Sequence, residues 1–117
     1  MRNKKNIFII DDDQAIGESL GEVLNLDYEV TLFTRGYEAI ESLRHMNPDG
    51  ILLDYFLPGE DTKDIINKFK AHSSKLPIII MSANLNMIED KPQLPAQDFL
   101  EKPFQMEKML TSLSKYI

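Results

Sequence analysis

Three acidic positions stand where apolar, strand-like runs stop: Asp11 and Asp12 after Ile7-Phe8-Ile9-Ile10, and Asp54 after Ile51-Leu52-Leu53. If the two runs are parallel neighbouring strands, their carboxyl ends share one edge of a sheet and the carboxylates converge. Several negative oxygens in a small, partly dehydrated space repel one another and resist full ionisation unless a cation sits among them. Oxygen-only donors select a hard divalent ion, Mg2+ or Mn2+, over zinc.

Elements of the right kind are present to position these groups. Apolar runs of strand length alternate with longer amphipathic stretches, the pattern of βαβ units around a mostly parallel sheet. The strand candidates are Asn6 to Ile10, Tyr28 to Phe33, Ile51 to Leu53, Ile78 to Met81 and Asp98 to Leu100. The first, third and fourth are apolar on both faces and read as central, whereas the second, with Val30, Leu32 and Tyr28 on one face, reads as an edge.

Between the strands, Ile16, Leu20, Val23 and Leu24 give a helix with one buried stripe, and Asp13 is its natural N-cap. A second helix near Tyr37 to His45 turns Ala39, Ile40 and Leu43 inward. A third, from Thr62 to His72, buries Ile65, Ile66 and Phe69. The last, from Phe104 to about Tyr116, turns Met106, Met109, Leu110 and Leu113 inward. Pro92 and Pro95 forbid a long helix over 84–97, so that interval predicts one to two helical turns and then a loop.

Right-handed crossovers between five such strands favour an α/β doubly wound parallel sheet of order 2-1-3-4-5. That order sets strands one and three side by side, with Asp11, Asp12 and Asp54 at the topological switch point. Ser82 ends strand four and Lys102 follows strand five, so one edge collects three acids, a hydroxyl and an amine.

At 117 residues, with 43% apolar and 27% charged residues, the chain predicts one domain over 1–117. A net charge of −6 and scattered basic residues, the nearest to a patch being Arg2, Lys4 and Lys5, argue against binding to nucleic acid. Cysteine is absent, which removes disulfides, thiolate metal sites and thiol nucleophiles. The apolar run after Lys4 and Lys5 stops at Asp11, short of the roughly 7–15 residues of a secretory core. The expectation is a cytoplasmic protein with no membrane partner.

The collection at the sheet edge resembles the receiver domain of two-component response regulators. The likeness is carried by Ile9-Ile10-Asp11-Asp12, by Leu52-Leu53-Asp54-Tyr55-Phe56-Leu57-Pro58-Gly59, by Ile80-Met81-Ser82-Ala83, and by Phe99-Leu100-Glu101-Lys102-Pro103-Phe104, and it spans the chain. It implies a flavodoxin-like sandwich with a short or irregular fourth helix. It also implies that Asp54 takes a phosphoryl group from a histidine kinase or histidine phosphotransfer protein. Asp12 would ligate Mg2+ directly and Asp11 through water, with Asp54 and the backbone carbonyl of Phe56 completing the protein ligands. Lys102 and Ser82 would bind phosphoryl oxygens, and Phe99 would turn inward as Ser82 moves, changing an output surface. Such a chain is a switch rather than a turnover enzyme, with an output protein or domain as partner and a phosphorylation-dependent homodimer as one arrangement.

Some positions depart from the family pattern. Asp61-Thr62 stands in place of the common Asp-Gly, Pro95-Ala96 in place of Gly-Ala, and the interval from Ser82 to Phe99 is slightly short. Apolar Phe56 and neutral Asn84, two residues beyond Asp54 and Ser82, predict slow loss of the phosphoryl group, because neither activates water. Two rival functions use the same residues. A haloacid-dehalogenase-like phosphohydrolase would employ Asp11-x-Asp13 with Ser82 and Lys102, leaving Asp54 idle, and a receiver-like interaction module would need no phosphorylation. Taken alone, Asp13 is a helix cap and Phe99 a core residue.

Overall fold

The structure, a computed structural model, describes residues 4–89, 91–103 and 105–117. Its elements run β1 (Lys5–Ile10), α1 (Gln14–Leu24), β2 (Tyr28–Phe33), α2 (Gly36–Ser42), β3 (Gly50–Asp54), α3 (Thr62–His72), β4 (Ile78–Ser82), β5 (Asp98–Glu101) and α4 (Met106–Tyr116). The five strands form one parallel sheet of order β2-β1-β3-β4-β5. This is the doubly wound, flavodoxin-like arrangement that the alternation of elements predicts.

Alternation along the strands divides the core in two, because successive side chains of a strand point to opposite faces. Phe8, Ile10, Ile51, Leu53, Ile78 and Ile80 meet Ala39 of α2 and Ile65, Ile66 and Phe69 of α3. Ile7, Ile9, Leu52, Ile79 and Met81 meet Leu20 and Leu24 of α1 and Met109 and Leu113 of α4. Residues Ile7–Ile10 and all of β3 and β4 are buried, each large aliphatic side chain contributing about 1.5–3 kcal/mol relative to exposure. The central strands are therefore rigid mounts for whatever stands at their carboxyl ends.

Several helix details differ from the periodicity. Val23 is 37% exposed, because the buried arc of α1 runs through Gly17, Leu20, Gly21 and Leu24. The two glycines let the helix lie over Leu32, whose Cδ2 would touch a Cβ placed at either of them. Leu110 also faces outward, since Ser112 takes its place on the inner arc of α4 and donates its hydroxyl to Asp98 at 2.6 Å. Leu32 itself is 40% exposed on the edge strand.

α2 stops at Ser42, beyond which the amides of Leu43, Arg44 and His45 bond three residues back rather than four. The interval after β4 holds two single 3-10 turns, Leu85–Met87 and Lys91–Gln93, a short and irregular helical stretch as anticipated. Its apolar anchors are Ile88, buried, and Leu85, packed on the same core. Arg2 and Phe104, the latter predicted to open the last helix, lie outside the described residues. Among the described residues no helix is long and apolar enough to cross a membrane.

Candidate functional site

The register between β1 and β3 pairs Ile10 with Leu53, so the chain leaves both strands at the same level. One carboxylate oxygen each from Asp11, Asp12 and Asp54 then lies within 4.8 Å of the others. Asp11 is buried and Asp12 exposed, so the group opens on one side. Three hard oxygen donors at this spacing suit a small divalent cation, in agreement with the chemistry expected from their types.

Lys102 reaches the same cluster from the end of β5. Its Nζ donates to Asp11 Oδ2 at 2.6 Å and stands 3.6 Å from Asp54 Oδ2. Its own amide donates to the Ser82 carbonyl at 2.7 Å, tying the ends of β4 and β5 together. Three carboxylates against one ammonium leave two uncompensated negative charges, the charge of one divalent cation.

Burial is the largest influence on Asp54, which is 7% exposed and whose carboxyl is pushed up to about 6. Lys102 pulls it down, Asp11 pushes it up, the Phe56 amide at 3.4 Å pulls it down and Asp12 pushes it up. Burial draws the Lys102 ammonium downward, but its bond to Asp11 and the charges of Asp54 and Asp11 outweigh that and leave it raised. The lysine stays charged, and Asp54 remains mostly ionised at neutral pH.

Asp13 takes no part in the cluster. Its side chain accepts the amides of Ala15 and Ile16 at 3.0 and 3.3 Å and caps α1, while its own amide donates to Asp11 Oδ1 at 2.9 Å. The Asp-x-Asp pair of the phosphohydrolase reading is thus split between the cluster and a helix cap, whereas Asp54 has a place in the cluster.

Ser82 is fully buried and its Oγ accepts the Asn84 amide at 3.0 Å, which leaves the hydroxyl proton available to another acceptor. Asn84 is exposed and its side-chain oxygen accepts the Asn86 amide at 3.1 Å, capping the first 3-10 turn. Phe99 is half-buried against the α2/α3 side of the core, with Lys91 Nζ 5.5 Å from its ring centre. Phe56 is 47% exposed and packs edge-on against Tyr55 at 5.0 Å.

Thr62, at the position anticipated to lose glycine's freedom, is buried and donates its hydroxyl to the Tyr55 carbonyl. Two carboxylates near the site escape the sequence reading. Glu101 Oε2 accepts the Leu85 amide at 3.1 Å, and Glu60 accepts the amides of Gly36 and Tyr37 at 2.7 and 3.2 Å. A sequence signal for the second exists, since the residue preceding α2 is Arg35, which makes no capping bond and leaves orphan amides.

Comparison with known proteins identifies the arrangement. The family described as response regulator receiver domain matches residues 7–114. Sporulation initiation phosphotransferase F of Bacillus subtilis (strain 168) is 32% identical over 120 residues, covering all of this chain and 96% of that protein. Response regulator MprA of Mycobacterium sp. (strain KMS) is 32% identical over 110 residues, covering 92% of this chain. The chain spans about half the length of MprA, at 48%.

Among solved structures, the receiver domain of a sensor histidine kinase from Pseudomonas aeruginosa PAO1, with magnesium coordinated in its active-site cleft, superposes with a TM-score of 0.85 at 27% identity. The match covers 97% of this chain and 98% of that one. The response regulator TrrA of Thermotoga maritima, in complex with Mg(2+)-BeF, shares the fold with a TM-score of 0.86 at 24% identity, over 97% and 99% of the two chains. By the extent of the family match and by these relatives, the chain belongs to the response regulator receiver domain family.

Proposed function

We propose that this chain is a phosphoacceptor switch in which Asp54 takes a phosphoryl group from the phosphohistidine of a histidine kinase or phosphotransfer protein. The observation that carries the reading is the meeting of Asp11, Asp12 and Asp54 within 4.8 Å beside the ammonium of Lys102. Mg2+ fits the donor set, with Mn2+ an acceptable substitute. Asp12, Asp54 and the Phe56 carbonyl would hold it directly and Asp11 through water, and it would supply charge neutralisation of the phosphoryl oxygens.

The chain's own groups perform the rest. An Asp54 oxygen attacks phosphorus while the histidine nitrogen on the opposite side departs with the bonding pair, as neutral imidazole once its other nitrogen is protonated. Lys102 already bridges Asp11 and Asp54 and can turn its ammonium to a phosphoryl oxygen, which makes charge stabilisation and positioning the main catalytic contributions. The Ser82 hydroxyl proton is free to donate to the acyl phosphate. Movement of Ser82 toward it, with Phe99 following inward, shifts a population toward an altered surface around Phe99. An output protein or domain, or a second copy of the chain, then reads that surface. The reaction regenerates no free catalyst within one signalling event, so the chain acts as a switch rather than a turnover enzyme, in the cytoplasm where kinase and metal are available.

Phe56 shields the acyl phosphate and the engaged amide of Asn84 cannot serve as a base, so the phosphoryl group leaves slowly. Phe56→Asn is expected to shorten its lifetime several-fold in the presence of magnesium; an unchanged or longer lifetime rejects the shielding role. The function as a whole is tested with acetyl phosphate and Mg2+, comparing the parent chain with Asp54→Ala and Asp11→Ala. Labelling that vanishes with Asp54→Ala or with chelator supports the switch. Steady phosphate release that depends on Asp11 but not on Asp54 supports a phosphohydrolase instead. Beryllium trifluoride with Mg2+ that leaves the resonances of Ser82 and Phe99 unmoved supports a phosphorylation-independent module.

A further inference from the structure

We infer that Glu60 is a positioning residue of the cation site: it fixes the loop after Asp54 by gripping the start of α2, and so couples cation binding to that helix. The inference rests on the metal reading above. The loop concerned is 55–61, between β3 and α3, and it carries the Phe56 carbonyl read as a ligand.

The loop is built as a stiff lever. Leu57 is buried, and the Glu60 amide donates to the Leu57 carbonyl at 3.2 Å. Pro58 fixes the second position of this turn and Gly59, at φ 74°, supplies the left-handed third position of a type II turn. The turn delivers the Glu60 carboxylate to α2, where Oε1 accepts the Gly36 amide at 2.7 Å and Oε2 the Tyr37 amide at 3.2 Å. Arg35, at the capping position, gives these amides no side-chain acceptor. Glu60 therefore serves as the helix cap from a distant part of the chain, with a charge suited to the amino end of a helix.

The seat that receives it is closely fitted. A Cβ at Gly36 would stand 2.4 Å from Ile65 Cδ1, so the absence of a side chain there lets α2 meet α3. Beside it, Tyr37 donates its hydroxyl to Asp64 Oδ2 at 2.9 Å. At the other side of Phe56, Thr62 holds the Tyr55 carbonyl. The Phe56 peptide thus lies between a carbonyl held by Thr62 and a turn held by Glu60.

A backbone carbonyl has no side-chain torsion with which to correct its aim at a cation, so its aim depends on the anchors of its loop. A cation that requires the loop in this position strengthens the grip of Glu60 on α2. By linkage, the grip strengthens cation binding by the same factor.

The test uses the whole chain and magnesium chloride, with affinity measured by calorimetry and amide exchange at Gly36 and Tyr37 measured by NMR. Glu60→Gln keeps the shape but turns an amide NH2 toward a backbone N–H. Exchange at Gly36 and Tyr37 is expected to quicken and to lose its dependence on magnesium, and the magnesium Kd to rise about 3- to 10-fold. Tyr37→Phe removes the neighbouring bond to Asp64 while leaving the Glu60 grip, and its Kd is expected to stay within about twofold of the parent. An unchanged Kd in Glu60→Gln overturns the inference. Equal weakening in both variants also overturns it, because that is what general loosening of α2 produces. A parent chain that binds no magnesium overturns the metal reading itself, before any variant is compared.

Discussion

The two halves of the site are held by different forces. Asp11, Asp12 and Asp54 leave strands that are apolar on both faces, and Ile7–Ile10 and Ile51–Leu53 are wholly buried. The segment after Ser82 is instead secured by single polar bonds, Asn84 to Ser82, Asn86 to Asn84 and Leu85 to Glu101, with Ile88 as its buried apolar anchor. Chemistry needs fixed groups and switching needs movable ones. Under the proposed function, the sheet centre suits the first, and the polar-bonded turn that follows Ser82 suits the second.

The contrast can be broken most strongly from its rigid side. Leu53→Ala, which empties a fully buried position just before Asp54, is expected to cost about 2–5 kcal/mol in urea unfolding. Met87→Ala, at an exposed position of the other half, is expected to stay within about 0.5 kcal/mol. Comparable costs at the two positions would remove the distinction.

Charge also distinguishes the rigid half. The Asp54 carboxyl is raised, chiefly by burial, from its ordinary 3.8 to about 6. Its neutral form is favoured in the fold, so the contribution is fully present below about pH 4 and is lost as pH rises through about 6. Metal-free parent protein is therefore expected to lose stability across that window. Asp54→Asn should flatten the loss and stabilise the metal-free chain at pH 7 by about 1–2 kcal/mol, the shift discounted for water reaching the open side of the cluster. Unfolding curves from pH 4 to 8 that coincide for parent and variant would contradict this.

Magnesium should reverse the same strain. At a tenfold excess over Kd it is expected to add about 1.4 kcal/mol to the parent chain, and chelator should remove the gain. Asp54→Ala, lacking one of the donors, should gain much less. A smaller cost is expected in the other half: Glu101→Ala frees the Leu85 amide and should cost about 0.5–1 kcal/mol globally. It should quicken amide exchange at Leu85 and Asn86 while leaving Ile51–Leu53 unchanged. Exchange that rises equally in β3 would show the halves to be one cooperative unit.

The sheet order and the cluster were legible because both follow from placement along the sequence: apolar runs of strand length, each ended by a residue with a reactive side chain. Asp13 was legible for the same reason, as a cap one residue before a helix. Where tertiary contacts decide, the sequence says less. Val23 falls on an apolar stripe yet faces water, because Gly17 and Gly21 rotate the buried arc of α1 toward Leu32. Glu60 gives no local signal, because the Gly36 amide it accepts stands 24 positions away in sequence. Lys102 reads as a phosphoryl ligand, and only the folded edge places it on Asp11 when no phosphoryl group is present.

Asp54, and none of the acids beside it, is expected to form the acyl phosphate. After incubation with acetyl phosphate and Mg2+, borohydride reduction converts the modified carboxyl to an alcohol that peptide mass spectrometry can locate. Reduction is expected at position 54, dependent on magnesium. Reduction at position 11 or 13, or none in a folded, magnesium-loaded chain, would contradict it.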